Sequence, residues 1–244
     1  MIDIHIHILQ GMDDGAMDID EALTMLAKAE LHGVTDVIAT PHSWAVDDKI
    51  HIERAVKQLN KAASEIGIVA KVHAGCEFNV RRGEASDALG DRLKDLTLAG
   101  SRYLLTEFSN STGASIIYRC VERIVGKGLV PIIAHPERYS VMWDDLEPMR
   151  KAKGLGAFGQ ISMGDLIGRG GTVALKAALS MLDEGLCQIC ATDAHTPDKL
   201  EAYMAAVGAA EARYGKEGAS RLFTDNPSVV LNNGDPSQIK RALN

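Results

Sequence analysis

MIDIHIHI (residues 1–8) and DIDEALTMLAKAELHG (residues 18–33) are the first two segments of the pattern that decides the fold. The first segment is short and rich in β-branched residues, as is typical of a strand. In the second, Ile19, Leu23 and Leu26 recur at spacings of three and four residues, the period of an amphipathic helix. The pair therefore predicts a strand followed by a helix.

The same alternation continues along the chain. Strands that alternate with helices predict a parallel sheet. Seven repeats favour a closed or nearly closed α/β barrel, with an open doubly wound sheet as the alternative. We predict strands at 2–7, 36–40, 69–76, 102–108, 130–134, 157–162 and 186–192. We predict helices within 18–33, 50–66, 115–127, 144–153, 173–184 and 200–214, and a turn with a short surface helix at 232–244.

Length and charge limit the classes of function. The 244 residues fit one domain, which we expect to span 1–244. A net charge of −7 without a basic cluster argues against a nucleic-acid partner. No apolar stretch reaches the roughly 18 residues of a spanning helix, so we expect neither export nor membrane insertion. Four sparse cysteines among apolar residues favour a reducing cytoplasm.

Five of the eight histidines lie at the ends of predicted strands: His5, His7, His42, His135 and His195. In a parallel barrel the carboxyl ends of the strands meet on one face, so these imidazoles should converge. Because side chains two residues apart on a strand point the same way, His5 and His7 can grip one ion together.

Acidic residues accompany these histidines at the same strand ends. A single buried histidine is usually a hydrogen-bonded core residue. Several buried carboxylates and imidazoles together are costly unless cations neutralise them, so the set predicts a multinuclear metal site. Imidazole and carboxylate without thiolate suit manganese, iron or zinc, and the many carboxylates favour manganese or iron. The acidic members are Asp13, Asp14, Glu77, Glu107 and Asp193.

Six short motifs of the chain resemble the motif series of the polymerase and histidinol phosphatase (PHP) superfamily. They are MIDIHIHILQGMDDG, ATPHS, GCEF, LLTEF, IIAHPERY and ATDAH. Within that superfamily the chain is most similar to the bacterial manganese-dependent protein-tyrosine phosphatases encoded with capsule and exopolysaccharide genes. The similarity extends to LFTDNP near the carboxyl terminus. It implies a distorted (β/α)7 TIM-like barrel, the PHP fold.

The resemblance also implies three divalent cations, with manganese favoured and iron or zinc as alternatives. His5, His7, Glu77 and Asp193 would hold the first cation. Glu77 would bridge it to a second, held with Glu107 and His135. The third would bind the remaining predicted ligands, which are Asp14, His42 and His195.

The implied activity is hydrolysis of phosphotyrosine in protein tails, such as those of bacterial tyrosine kinases, by a hydroxide shared between cations. Arg138, Asp193 and His195 would be catalytic, and Arg138 would donate paired hydrogen bonds to the phosphate. A salt bridge at the barrel rim is the alternative for Arg138. Where relatives usually carry a further arginine after Asp-x-His, this chain offers only Lys199, a predicted phosphate contact without a planar fork.

Other interpretations stay open. The enzymatic alternative is a small-molecule phosphoesterase such as a histidinol-phosphate phosphatase, and the non-enzymatic one is a metal-holding regulatory module. The spacing of Cys76 and Arg82 matches that of cysteine-dependent phosphatases, although the segment lacks the inner glycines of a phosphate loop. Trp44 and Trp143 are candidate aromatic walls for a phenolic ring.

Overall fold

The strands form the wall of a parallel α/β barrel. The computed structural model describes residues 1–46, 48–80 and 91–243. Within these residues there are eight strands, and every strand pairing is parallel. They are β1 Ile2–Ile6, β2 Asp36–Ala39, β3 Lys71–Ala74, β4 Glu77–Val80, β5 Tyr103–Phe108, β6 Val130–Ala134, β7 Phe158–Ser162 and β8 Ile189–Ala191.

Two sheets, in the orders β1-β2-β3 and β4-β5-β6-β7-β8, close into one ring through their edges. On one side an isolated bridge joins Ile6 to Ala194, and the His7 amide donates to the Ala194 carbonyl at 2.9 Å. On the other side a bridge joins His42, just beyond β2, to Glu77 at the start of β4. The predicted barrel is therefore confirmed.

A further short strand, β4, follows the third predicted strand, which explains the difference between seven predicted and eight described strands. β3 pairs with β2, and β4 pairs with the segment that follows β2, so the two pieces occupy one position in the wall. Gly75 lies between them, and a Cβ atom there would sit 2.6 Å from the Ile38 side chain. The close approach of the two chains thus requires glycine between β3 and β4.

Helices cover the outside of the wall. All six predicted helices are present. However, α4 begins three residues later than predicted, with Pro148 in its first turn, α7 continues six residues beyond its predicted end, and α5 was not predicted. No described helix is long and apolar enough to span a membrane. The helices are α1 Ile19–Leu31, α2 Lys49–Glu65, α3 Ala114–Gly126, α4 Glu147–Gly154, α5 Met163–Leu166, α6 Thr172–Asp183, α7 Ala202–Ser220 and α8 Asn226–Leu231.

The carboxyl-terminal prediction was wrong in part. α8 was not predicted, and it lies just before the predicted turn. Beyond the turn only a three-residue 3-10 segment, Pro236–Gln238, is helical. Ile239 and Ala242 fall in the predicted surface helix, but both are buried against the rest of the molecule.

Two apolar clusters lie on the two faces of the wall. Successive residues of β5 alternate between them, since Tyr103 and Leu105 point into the barrel and Leu104 packs toward the helices. Val230 of α8 belongs to the inner cluster. Each fully buried aliphatic or aromatic side chain contributes about 1.5–3 kcal/mol, so the inner cluster stabilises the barrel beneath the polar strand ends.

Candidate metal centre

Nine of the predicted site residues come together at one end of the barrel. They form four overlapping groups, and in each group one ligand-type atom per residue lies within 4.8 Å of the others. The groups are His7, Asp14, His42 and His195; His5, His7 and Asp193; His5, Glu77 and His135; and His42, Glu77 and Glu107.

The two histidines of β1 have fixed orientations. His5 Nδ1 lies 2.9 Å from the Gln160 side-chain oxygen, and His7 Nδ1 lies 2.7 Å from Asp13 Oδ2. Because each Nδ1 faces an acceptor, the proton of each neutral ring sits there and Nε2 carries the lone pair. The two Nε2 atoms are 3.3 Å apart. Two lone pairs at that separation fit a shared cation between them.

Glu77 lies at the centre of the cluster and is fully buried. Its carboxylate lies 2.8 Å from His42 Nδ1 and 3.3 Å from the Nε2 atoms of both His5 and His135. Burial alone would raise the pKa of Glu77, but the three histidines hold that pKa well below its usual range. One anionic side chain therefore touches members of all four groups.

Without cations, the carboxylates of the cluster favour protons on the imidazoles. Burial acts to lower the pKa of His5, yet Glu77 and Asp193 outweigh it and raise that pKa to about 9. Burial and the adjacent Glu77 carboxylate raise the pKa of Glu107. Positive charge is thus needed among these groups, and divalent cations can supply it in place of protons.

The group nearest to solvent is built on Asp14, which is exposed. Its Oδ1 atom lies 3.4 Å from His42 Nε2 and 3.5 Å from His195 Nε2. The His195 ring stacks on the His7 ring with centroids 3.8 Å apart, and its Nδ1 atom faces the Asp193 carbonyl at 3.1 Å. The three residues predicted for a third cation therefore converge, with His7 added.

The backbone is left-handed at two of the nine residues. His135 has a φ of 31° and Asp193 a φ of 53°. Such conformations cost non-glycine residues about 1–3 kcal/mol each and concentrate at functional sites. Each of these residues follows a strand, β6 and β8 respectively, so the strain turns both side chains toward the cluster.

Arg138 is held by two carboxylates at the edge of the cluster. Its Nε atom donates to Asp165 at 2.7 Å, and Nη1 donates to Asp193 at 2.6 Å. The salt bridge that was the alternative interpretation is therefore present, while the side chain remains one-third exposed, at 33 %. Arg138, Lys199 and His195 line one cavity of about 330 Å³.

Several polar residues of the site carry no motif and were missed. Gln160 orients His5, Asp165 orients Arg138, and Asn79 lies 3.2 Å from His42 Nδ1 and also donates to Glu107. Gln160 lies on β7, the strand whose end carries neither histidine nor glutamate. Its position as a polar residue inside a predicted buried strand was the feature that could have indicated a role at the site.

The tryptophans differ in position. The Trp44 ring stacks on His42 with centroids 5.3 Å apart and lines a cavity of about 630 Å³ with Glu107 and Phe108. Trp143 donates its indole N–H to the Glu137 carbonyl and does not line that cavity. Only Trp44 therefore adjoins the site as an aromatic wall.

The cysteine interpretation has little support. Cys76 is fully buried, its thiol donates to the Pro41 carbonyl at 3.1 Å, and burial raises its pKa, so a reactive thiolate is disfavoured. Arg82 lies outside the described residues. Cys187 and Cys190 are buried and free, in keeping with core packing.

Comparison with known proteins identifies relatives over nearly the whole chain. The family model described as "Capsular polysaccharide synthesis, CpsB/CapC" matches residues 1–232. Tyrosine-protein phosphatase YwqE of Bacillus subtilis is 30% identical over 237 residues, covering 96% of this chain and 92% of YwqE. Tyrosine-protein phosphatase CpsB of Streptococcus pneumoniae is 29% identical over 240 residues, covering 95% and 98%.

Comparison with solved structures gives the same relatives. A crystal structure from a study of YwqE and CpsB, described as unique metal-dependent tyrosine phosphatases, superposes with a TM-score of 0.87 at 30% identity and covers 96% of both chains. A probable 2-pyrone-4,6-dicarboxylic acid hydrolase from Acinetobacter baumannii matches with a TM-score of 0.60 at 13% identity, covering 95% and 98%. The second match supports the barrel fold alone.

Proposed function

Because the chain belongs to the CpsB/CapC family, as its motifs indicated, we propose that it is a metal-dependent phosphatase that hydrolyses phosphotyrosine in proteins. The observation that carries this proposal is the convergence of nine imidazole and carboxylate side chains in adjoining groups. The similarity to tyrosine phosphatases over nearly the whole chain supports the reaction type.

We propose three divalent cations, with manganese favoured by the many carboxylates. His5, His7, Glu77 and Asp193 would hold the first, and Glu77 would share the second with Glu107 and His135. Asp14, His42 and His195 would hold the third. The donor set fits this assignment, because the Nε2 lone pairs of His5 and His7 face each other at 3.3 Å with acidic oxygens around them.

Bound divalent cations supply Lewis acidity toward the phosphoryl group and lower the pKa of water. The protein's own residues supply orientation. Arg138 donates from Nε to Asp165 and from Nη1 to Asp193. Its Nη2 hydrogens and the second Nη1 hydrogen can therefore donate to phosphoryl oxygens. His195 keeps its proton on Nδ1 against the Asp193 carbonyl, which leaves Nε2 directed toward Asp14.

An aromatic ester is the substrate that suits the neighbouring cavity. Trp44 and Phe108 line it, and Glu107 of the cluster forms part of its wall. A phenolic ring can stack on Trp44 while its phosphate reaches the cluster. We propose that the natural substrate is a phosphotyrosine-bearing protein tail, such as that of a bacterial tyrosine kinase, in the cytoplasm, where the four buried free cysteines stay reduced.

A competition assay with manganese present tests this function. A phosphotyrosine peptide, a phosphoserine peptide and histidinol phosphate are compared by kcat/KM. The phosphotyrosine peptide should be hydrolysed best. A preference for histidinol phosphate of about tenfold or more, equal to about 1.4 kcal/mol in transition-state binding, would instead identify a small-molecule phosphoesterase.

A further inference from the structure

The cavity beside Arg138 contains positive charge that the cluster does not use. Its volume of about 330 Å³ corresponds to about ten water molecules in the liquid, which is larger than one phosphoryl group requires. The segments that follow β6, β7 and β8 form its walls. The charged residues that line it are Arg138, Asp165, Arg169, Asp193, His195 and Lys199.

The three cationic side chains of this cavity have different partners. Arg138 is bonded to Asp165 and Asp193, so two carboxylates already offset its charge. Arg169 and Lys199 are exposed, and neither forms an ion pair with any residue that the structure describes. The carboxylate of Asp198, next to Lys199, accepts a hydrogen bond from the Thr196 hydroxyl at 2.5 Å. Two cationic side chains without an ion pair to any described residue therefore line one cavity in a protein of net charge −7.

The loop that carries Arg169 packs against Asp165, the carboxylate that binds Arg138. The Arg169 amide donates to the Gly164 carbonyl at 2.9 Å, which closes the turn after α5. Gly170 packs so closely on Asp165 that a Cβ atom there would lie 1.8 Å from Oδ1. Since the other oxygen of Asp165 accepts from Arg138, one buried carboxylate contacts both arginine-bearing segments at the cavity.

We propose that Arg169, together with Lys199, binds a second anionic group of the substrate: the carboxylate of an acidic residue close to the phosphotyrosine. This inference rests on the proposed function. Arg138 and the ligand cluster suffice for the phosphoryl group, and the remaining volume adjoins both. Lys199, predicted from the sequence to contact the phosphate, is assigned here to the second anion instead. Arginine recognises carboxylates through its planar pair of donors, so the site selects peptides with acidic flanks.

Two phosphotyrosine peptides that differ only in their flanks test this proposal. One carries glutamate at the two positions on each side of the phosphotyrosine, and its twin carries glutamine there. With the manganese-loaded protein, the glutamate peptide should have a kcat/KM about five- to tenfold higher at low salt, a size typical of one or two charge-assisted contacts. The ratio should fall toward one at about 0.5 M salt, where the Debye length is only a few ångströms.

Substitutions test whether the cavity residues cause the preference for the glutamate peptide. Arg169→Ala should reduce the glutamate-to-glutamine ratio to about one, and Arg169→Glu should invert it. Arg54→Ala, which removes the same charge from the exposed face of α2, should preserve the ratio. Circular dichroism melting of each variant verifies that the ratio is measured on folded protein.

Three results would overturn the proposal. They are equal kcat/KM for both peptides in the unmodified protein, an undiminished preference in Arg169→Ala, and an equal loss for both peptides in that variant. The last result would mean that Arg169 contacts the phosphoryl group, which both peptides share. Hydrolysis of neither peptide would overturn the phosphotyrosine phosphatase function itself, which separates that failure from failure of the second anion site.

Discussion

Two layers of the barrel interior are equally buried but differ in what stabilises them. In the apolar layer, Ile4, Ile38 and Leu105 are completely inaccessible and belong to one cluster. In the charged layer, His5 and Glu77 are just as inaccessible, yet they lie 3.3 Å from each other and both contact further ionisable groups. Burial stabilises the first layer, whereas it destabilises any unneutralised charge in the second.

This difference separates fold from function within one set of strands. The apolar layer needs no partner beyond its own side chains. The charged layer needs cations or protons, and two of its residues lie in left-handed backbone. Substitutions in the two layers should therefore affect different measurements.

The largest effect on turnover is expected from His135→Ala. The change removes a proposed ligand of the second cation, so kcat/KM should fall roughly a thousandfold or more. The thermal melting curve of the metal-free protein should change little, because His135 adds little apolar packing. His51→Ala, at an exposed histidine of α2, is the control. Near-normal hydrolysis by His135→Ala would mean that the second cation is not bound there.

The opposite behaviour is expected from Ile132→Ala in the apolar layer. Removing this fully buried side chain should lower the free energy of unfolding by about 2–5 kcal/mol in urea titration. The kcat of the folded fraction should stay within about twofold of the original value, since the ligand residues keep their positions. Val125→Ala on α3, where the side chain is partly exposed, should cost much less. A specific loss of turnover at full folding would show that the two layers are coupled.

An intermediate effect is expected from Asp165→Asn. The amide cannot form the charge-assisted bond to Arg138 Nε, so kcat/KM should fall about 10- to 100-fold, a loss typical of supporting contacts. Asp165 would act through Arg138, so the same change made in an Arg138→Ala background should have little further effect. Independent, multiplicative losses in that double variant would rule out a positioning role.

The smallest effect is expected from Trp44→Ala. Loss of one stacked aromatic contact should raise KM for a phosphotyrosine peptide about three- to tenfold. The KM of a phosphoserine peptide should be nearly unaffected, because it has no ring to stack. Trp143→Ala removes a tryptophan outside that cavity and serves as the matched control. Equal effects of Trp44→Ala on both peptides would argue against a ring-binding wall.

Sequence patterns predicted the barrel because each strand and helix carries its own local period. The patterns also predicted that the nine cluster residues lie close together, because the carboxyl ends of parallel strands meet on one face of a barrel. Gln160, Asp165 and Arg169 were missed because their roles depend on contacts made across loops, which no local spacing records. β4 was missed because its four residues follow directly on the previous strand, and only the close packing at Gly75 separates the two.

The central claim is that the charged layer binds cations that its chemistry requires. The most direct test removes metal with a chelator, then adds Mn²⁺ while bound metal and hydrolysis of a phosphotyrosine peptide are measured together. We expect folded, inactive protein that regains full turnover as about three ions bind per chain. A protein that binds no transition metal, or whose hydrolysis is indifferent to its removal and return, would contradict the account.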